Sequence, residues 1–231
     1  MILLLGANGS IGRRYQAVLK ALGEPYCAVD IGTQEPDWNL VTKAIIATPT
    51  GLHFEHCEEM IERGLPFLCE KPLDKNPFSS YILQSSAKAC DVSGFIVNNY
   101  RFATLGVNGD ENLIAYDFYN TGKDGLIWDV CQLVYLAHLE RCELRVYRES
   151  FTWNLSYKGH AIRYRAIEYS YFDMVKAFIN EQWGDLWTLQ DAHEMTRICA
   201  DMMRSPGGKD CENFMWNSST NQFNATARQD L

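Results

Sequence analysis

The stretch GANGSIG, residues 6–12, constrains the fold more than any other feature. It follows the apolar run MILLL and precedes a segment with helical spacing. From Ser10 to Leu22 the apolar residues Ile11, Tyr15, Val18, Leu19 and Leu22 recur at the helical period, and Gly23 stops the pattern. A buried strand, a turn and a helix therefore open the chain. Of the turn's glycines, Gly6, Gly9 and Gly12, one permits the tight turn. One lets a pyrophosphate approach the backbone, and one lets helix pack on strand. The helix N-terminus adds free N–H groups and the positive end of its dipole. The spacing is GxxGxxG, so Asn8 stands where a glycine is usual. A tight turn without a ligand would explain the glycines alone. Asp30 argues for more: it ends a second apolar run, 18 residues after Gly12, where a carboxylate grips ribose hydroxyls. Its charge repels a 2′-phosphate, which favours NAD over NADP. The expected cofactor contacts here are Gly6, Asn8, Gly9, Ser10, Ile11 and Asp30.

Beyond the turn, strand and helix alternate. PYCAVD reads as the second strand and KAIIATP as the third, stopped by Pro49. Residues 52–63 have helical spacing and end at Gly64. LPFLCE is the fourth strand, 77–90 a helix, and GFIVNNY the fifth strand. This alternation predicts an α/β fold with a doubly wound parallel sheet of Rossmann type. Near Arg101 the pattern changes. ENLIAYDFYN reads as a strand, and IWDVCQLVYLAHL as a helix with Ile127, Val130, Leu133, Val134 and Ala137 on one side. ELRVYRESFTWNLSY alternates apolar and polar residues, and the dipeptide KG turns it into HAIRYRAIEY, an antiparallel hairpin signal. Residues 167–179 form an amphipathic helix with Tyr171, Met174, Val175 and Phe178 on its apolar face. Thr188 with Asp191 reads as the N-cap of a further helix. The expected organisation is a dinucleotide-binding domain at 1–104 and a smaller α+β domain with an antiparallel sheet at 105–203. A polar tail or partner-binding arm follows at 204–231.

Composition narrows the function. The net charge of −8 argues against a general nucleic-acid or anionic-membrane surface. No apolar run approaches the roughly 18 residues of a membrane span, and the start has no basic lead of a signal peptide. Eight cysteines without a CxxC pair read as reduced thiols of a cytoplasmic protein. Five histidines show no metal-ligand spacing, so no metal is expected.

With the glycine turn, the segment IIATPTGLHFEHCEEMIERGLPFLCEKPL and the motif NNYRF in view, the chain resembles the Gfo/Idh/MocA family of glucose–fructose oxidoreductase and inositol dehydrogenase. The likeness is strong over about residues 1–102 and weaker over 112–200. It implies that Thr48, Pro49, Thr50 and His53 line the cofactor cleft. It also implies that Glu70, Lys71 and Pro72 are the signature tripeptide, often with a cis Lys-Pro bond, and that its lysine works near the nicotinamide and the substrate carbinol. The residues agree: a lysine at the carboxyl end of a parallel strand sits where open α/β sheets bind ligands. His53 could instead only close the pocket, and Arg101 after strand five could be an ordinary ion-pair partner.

The chain departs from the family pattern at two places. Only 13 residues, IGTQEPDWNLVTK, separate Asp30 from the ATP strand, where members carry a further strand and helix. An edge unit of the sheet, and with it a wall of the adenine pocket, is therefore expected to be missing. Members also place a histidine, their acid/base, shortly after an aspartate that opens a helix of the second domain. Here Asp129 matches the aspartate, but Gln132 or Leu133 follows, and His138 is out of phase. Glutamine hydrogen-bonds but does not titrate near neutral pH. Asp129 could also be a helix-start residue favoured by the dipole.

Acid/base work thus falls to Lys71, with Asp129 and Gln132 beside it as catalytic candidates. Lys71, Asn99, Arg101, Asp129 and Gln132 are the candidates for holding substrate. The expected protein is an NAD-dependent oxidoreductase acting on a sugar, sugar nucleotide or polyol, a homo-oligomer through its second-domain sheet. The alternative is a degenerate relative that binds NAD(H) or a sugar without turnover.

Overall fold

The computed structural model describes residues 1–33, 35–102, 115–116, 126–139, 143–149, 152–157, 160–161, 164–208, 213–217 and 222–226. The chain opens with β1 (Ile2–Leu5), α1 (Ser10–Leu22), β2 (Tyr26–Val29), β3 (Lys43–Ile46), α2 (His53–Glu62), β4 (Phe67–Cys69), α3 (Pro77–Ala89) and β5 (Gly94–Ile96). It continues through α4 (Asn99–Phe102), β6 (Ala115–Tyr116), α5 (Leu126–Asp129), α6 (Cys131–Leu139), β7 (Glu143–Glu149), β8 (Thr152–Tyr157) and β9 (His160–Ala161). It closes with α7 (Tyr164–Ile179), β10 (Trp187–Thr188), α8 (Leu189–Arg204), β11 (Asn213–Asn217) and β12 (Gln222–Thr226).

Two compact units divide it: Met1–Asn98 with Tyr171–Thr196, and Asn99–Ser170 with Arg197–Leu231. The second stretch of the first unit corrects the expectation of contiguous domains. The apolar face of α7 supplies the reason: Met174, Val175 and Phe178 are fully buried, and Phe178 meets Phe95 of β5 edge-on at 6.1 Å.

In the first unit the strand order is β10-β5-β4-β3-β1-β2. β2, β1, β3, β4 and β5 run parallel. The expected α/β class is therefore present. β1, β4 and β5 are buried along their whole length. That explains why these strands read as unbroken apolar runs rather than alternating ones. Each fully buried Leu or Ile side chain contributes about 1.5–3 kcal/mol. Register aligns the carboxyl ends: Leu5 pairs with Val29 and Ile46, Ile46 with Cys69, and Cys69 with Ile96. Gly6, Asp30, Ala47, Glu70 and Val97 consequently leave the sheet along one edge.

The missing edge unit is visible. β2 ends the sheet, and a single 3-10 turn, Trp38–Leu40, stands between β2 and β3. The Arg63 guanidinium lies 3.5 Å over the Trp38 ring and ties this short connection to the end of α2. At the opposite edge, β10 adds two residues antiparallel to β5. Thr188 then forms the expected cap: its amide and hydroxyl donate to Asp191 at 2.8 and 2.7 Å.

The second unit holds a sheet ordered β12-β11-β7-β8-β6, with β9 on β8. Two sequence expectations are corrected here. The run ELRVYRESFTWNLSY is not one strand but the hairpin β7–β8, and among the described residues His160–Ala161 alone follow as strand before α7 begins at Tyr164. The segment expected as a loose tail forms the hairpin β11–β12, and β11 pairs with β7 through Phe214, Met215, Trp216 and Asn217. Backbone pairing to an existing strand orders a stretch whose polar composition predicts none.

Candidate functional site

The glycine turn is built by sterics. Gly6 has φ +79°, and a Cβ there would lie 2.6 Å from the Ala47 carbonyl oxygen. A Cβ on Gly12 would lie 2.0 Å from the Gly6 carbonyl oxygen. Both neighbours are backbone and cannot yield. Gly9 is the N-cap of α1; no side chain caps the helix and its first turn holds no acidic residue. The N–H groups of the first turn, from Ser10 and Ile11 onward, thus present an uncompensated positive end. Asn8 needs no left-handed backbone, since Asp91 and Glu181 are the only described non-glycine residues with positive φ. Its N–H donates to Asp30 Oδ2 at 2.7 Å, and its carbonyl accepts from Arg13 Nη1 at 2.7 Å.

The Asp30 carboxylate also accepts the Ile31 N–H at 2.8 Å. A carboxylate has about four acceptor positions, so ribose hydroxyls still fit on it. Ile31 beside it is 95% exposed, as expected where the neighbouring strand and helix are missing.

Thr48 and Pro49 follow β3, and Thr50 begins a 3-10 turn. The Thr48 hydroxyl is buried without a hydrogen-bond partner, as is Oδ1 of Asn98 after β5. Orphaned buried polar atoms at the carboxyl edge suit a polar ligand better than a sealed core. His53 opens α2 and is 1% exposed. Its Nε2 lies 2.8 Å from the Thr48 carbonyl oxygen and its Nδ1 2.8 Å from that of Pro72. It therefore ties the ATP turn to the EKP turn, in accord with a pocket-closing residue. His53→Leu removes the ring's one N–H donor from this pair of carbonyls. We expect a loss of about 1–3 kcal/mol in unfolding free energy, read from the urea midpoint. An unchanged midpoint would contradict that role.

The Lys71–Pro72 peptide is cis, as the resemblance implies. Glu70 is buried, and its Oε1 accepts from the hydroxyls of Tyr15 at 2.8 Å and Tyr171 at 3.3 Å. Its Oε2 accepts the Lys71 N–H at 3.2 Å. Burial, and then the Glu70 charge, push the Tyr15 phenol well above its usual range, so it stays a donor. Burial likewise raises the Cys69 thiol, which has Cys57 as a hydrogen-bonding neighbour. Lys71 itself is half-buried at the end of β4.

The first unit thus brings together the glycine turn, Asp30, the ATP turn and the tripeptide along one sheet edge. In the second unit Asn99 and Gln132 meet: Gln132 Nε2 donates to Asn99 Oδ1 at 2.9 Å, and Asn99 Nδ2 to Ser170 Oγ at 3.3 Å. All three are buried. The side chains of Arg101 and Asp129 lie outside the described residues. Tyr15 and Tyr171 escaped the sequence reading, which counted both on apolar helix faces. The signal was the phenol, which needs a partner when buried. Among the described residues no group of three His, Cys, Asp or Glu is placed to hold a metal. No described helix is long and apolar enough to cross a membrane.

Residues 3–93 match the Gfo/Idh/MocA model, an oxidoreductase family with an NAD-binding Rossmann fold. No curated protein matches the chain. Among solved structures the fold is similar to the WlbA (WbpB) dehydrogenase from Thermus thermophilus, in complex with NAD and UDP-GlcNAcA. That pair shares 16% identity over 88% of this chain and 94% of the other, at a TM-score of 0.61. A probable dehydrogenase from Thermotoga maritima shares 13% identity over 87% and 94%, at a TM-score of 0.64. The UDP-N-acetylglucosamine 3-dehydrogenase GnnA from Acidithiobacillus ferrooxidans shares 14% over 87% and 95%, at 0.60. Residues 3–93, whose glycine turn and strand-end carboxylate fit the dinucleotide, match the Gfo/Idh/MocA oxidoreductase family with its NAD-binding Rossmann fold.

Proposed function

We propose that the protein is an NAD-dependent oxidoreductase acting on a carbinol of a sugar, sugar nucleotide or polyol. The observation that carries this reading is the place of Lys71 at the carboxyl end of β4, in the same row as the glycine turn and Asp30. Nicotinamide, when bound, supplies or accepts the hydride. The chain's own work is to hold and to move a proton. The first turn of α1 and the turn around Thr48, Pro49 and Thr50 hold the dinucleotide, with Asp30 on the ribose. Lys71 takes the hydroxyl proton on oxidation and returns it on reduction, a role worth about 10²–10⁴ in rate. Asn99, Arg101, Asp129 and Gln132 are the candidates for holding substrate. The sugar-nucleotide class is supported by the similar dehydrogenases, one in complex with UDP-GlcNAcA and one a UDP-N-acetylglucosamine 3-dehydrogenase. A homo-oligomer built on the second unit's sheet, working in a reducing cytoplasm, fits this reading. The described cysteines are all free.

One observation favours a second reading, a protein that binds NAD(H) without turnover. Gln132 replaces the family's histidine and has its amide engaged by Asn99. An absorbance assay at 340 nm with NAD and a panel of UDP-sugars separates the two. NADH formation supports the enzyme. NADH binding with no turnover of any sugar, sugar nucleotide or polyol supports the binding protein.

A further inference from the structure

Among the residues whose side chains are described, Glu70 is the only buried carboxylate. A buried charge is retained only where donors satisfy it, and here the donors come from far apart. Tyr15 lies in α1, 55 residues away in sequence, and Tyr171 in α7, 101 residues away. Their rings meet edge-on, with centroids 5.6 Å apart. The Arg14 guanidinium covers the Tyr171 ring at 4.9 Å. Both phenols converge on Oε1, and the opposite oxygen, Oε2, holds the Lys71 amide. The carboxylate therefore cannot turn without breaking either the phenol pair or the link to Lys71.

We propose that Tyr15 and Tyr171 are positioning residues for the nicotinamide end of the cofactor site, acting through Glu70 on the backbone of Lys71. The proposal rests on the NAD-binding reading above. A fold-only role for the pair would affect both halves of the dinucleotide alike. A positioning role affects the nicotinamide half alone. The two halves can be separated with ADP-ribose, which keeps adenosine and pyrophosphate but lacks nicotinamide.

The test titrates the full chain, wild type and Tyr171→Phe, with NADH by fluorescence and with ADP-ribose by calorimetry. We expect Tyr171→Phe to weaken NADH about five- to tenfold and to move bound-NADH emission toward that of free NADH. ADP-ribose affinity should stay within about twofold of wild type, about 0.4 kcal/mol on the tenfold-per-1.4 scale. Glu70→Gln, which keeps the side chain's shape, is read the same way should Tyr171→Phe not fold. Equal losses for both ligands, or no loss for either, would overturn the proposal while leaving the NAD reading intact. A wild type that binds no NADH would overturn both.

Discussion

Gly12→Ala should abolish measurable NADH binding. The added methyl would stand 2.0 Å from the Gly6 carbonyl oxygen and 2.7 Å from the Ala7 carbonyl carbon. Neither is a flexible side chain, so α1 must move away from β1. That displacement removes the first-turn N–H groups from the pyrophosphate and takes Tyr15 from Glu70. We expect a loss of at least about 100-fold in affinity, equivalent to roughly 2.7 kcal/mol, and a lower melting temperature. Gly9→Ala is the matched control. Its methyl meets a single neighbour, the Gly6 carbonyl oxygen at 3.3 Å, and the backbone there is already extended. Its effect should be several-fold smaller. Fluorescence titration checks both variants, and wild-type affinity in Gly12→Ala would contradict the assignment of this turn.

Lys71→Ala should remove about 10²–10⁴ of turnover on whichever sugar substrate the wild type accepts. NADH affinity should stay within a few-fold, because the glycine turn and Asp30 are untouched. The expected split is a fall in kcat with the cofactor titration nearly unchanged. Turnover retained in Lys71→Ala would remove this lysine from the mechanism.

The first half of the chain was legible because its physics is local. β1, β3, β4 and β5 are apolar runs, and Gly23 and Gly64, both at positive φ, mark where α1 and α2 stop. The short β2–β3 connection could be counted directly, and the missing edge strand followed. The second half hid its turns. The β7–β8 pairing falls within a run that holds neither Gly nor Pro, while the stronger turn signal at Lys158 and Gly159 leads to a strand of two residues. β11 and β12 are rich in Asn and gain their order from pairing with β7, which no local pattern reports. β10 is two residues long, below any periodicity. In the site, the tripeptide and the glycine turn were readable as contiguous motifs. The Tyr15–Glu70–Tyr171 cluster was not, because its members are gathered only by folding. Gln132 was readable as a departure from the family, but its closure onto Asn99 was not.

The central claim is that the carboxyl edge of the first sheet binds NAD(H), and titration of the purified chain with NADH tests it most directly. The account predicts saturable binding with a blue-shifted NADH emission, competition by NAD, and weaker binding of NADPH because Asp30 opposes a 2′-phosphate. No binding of either NADH or NADPH at millimolar concentration would contradict it.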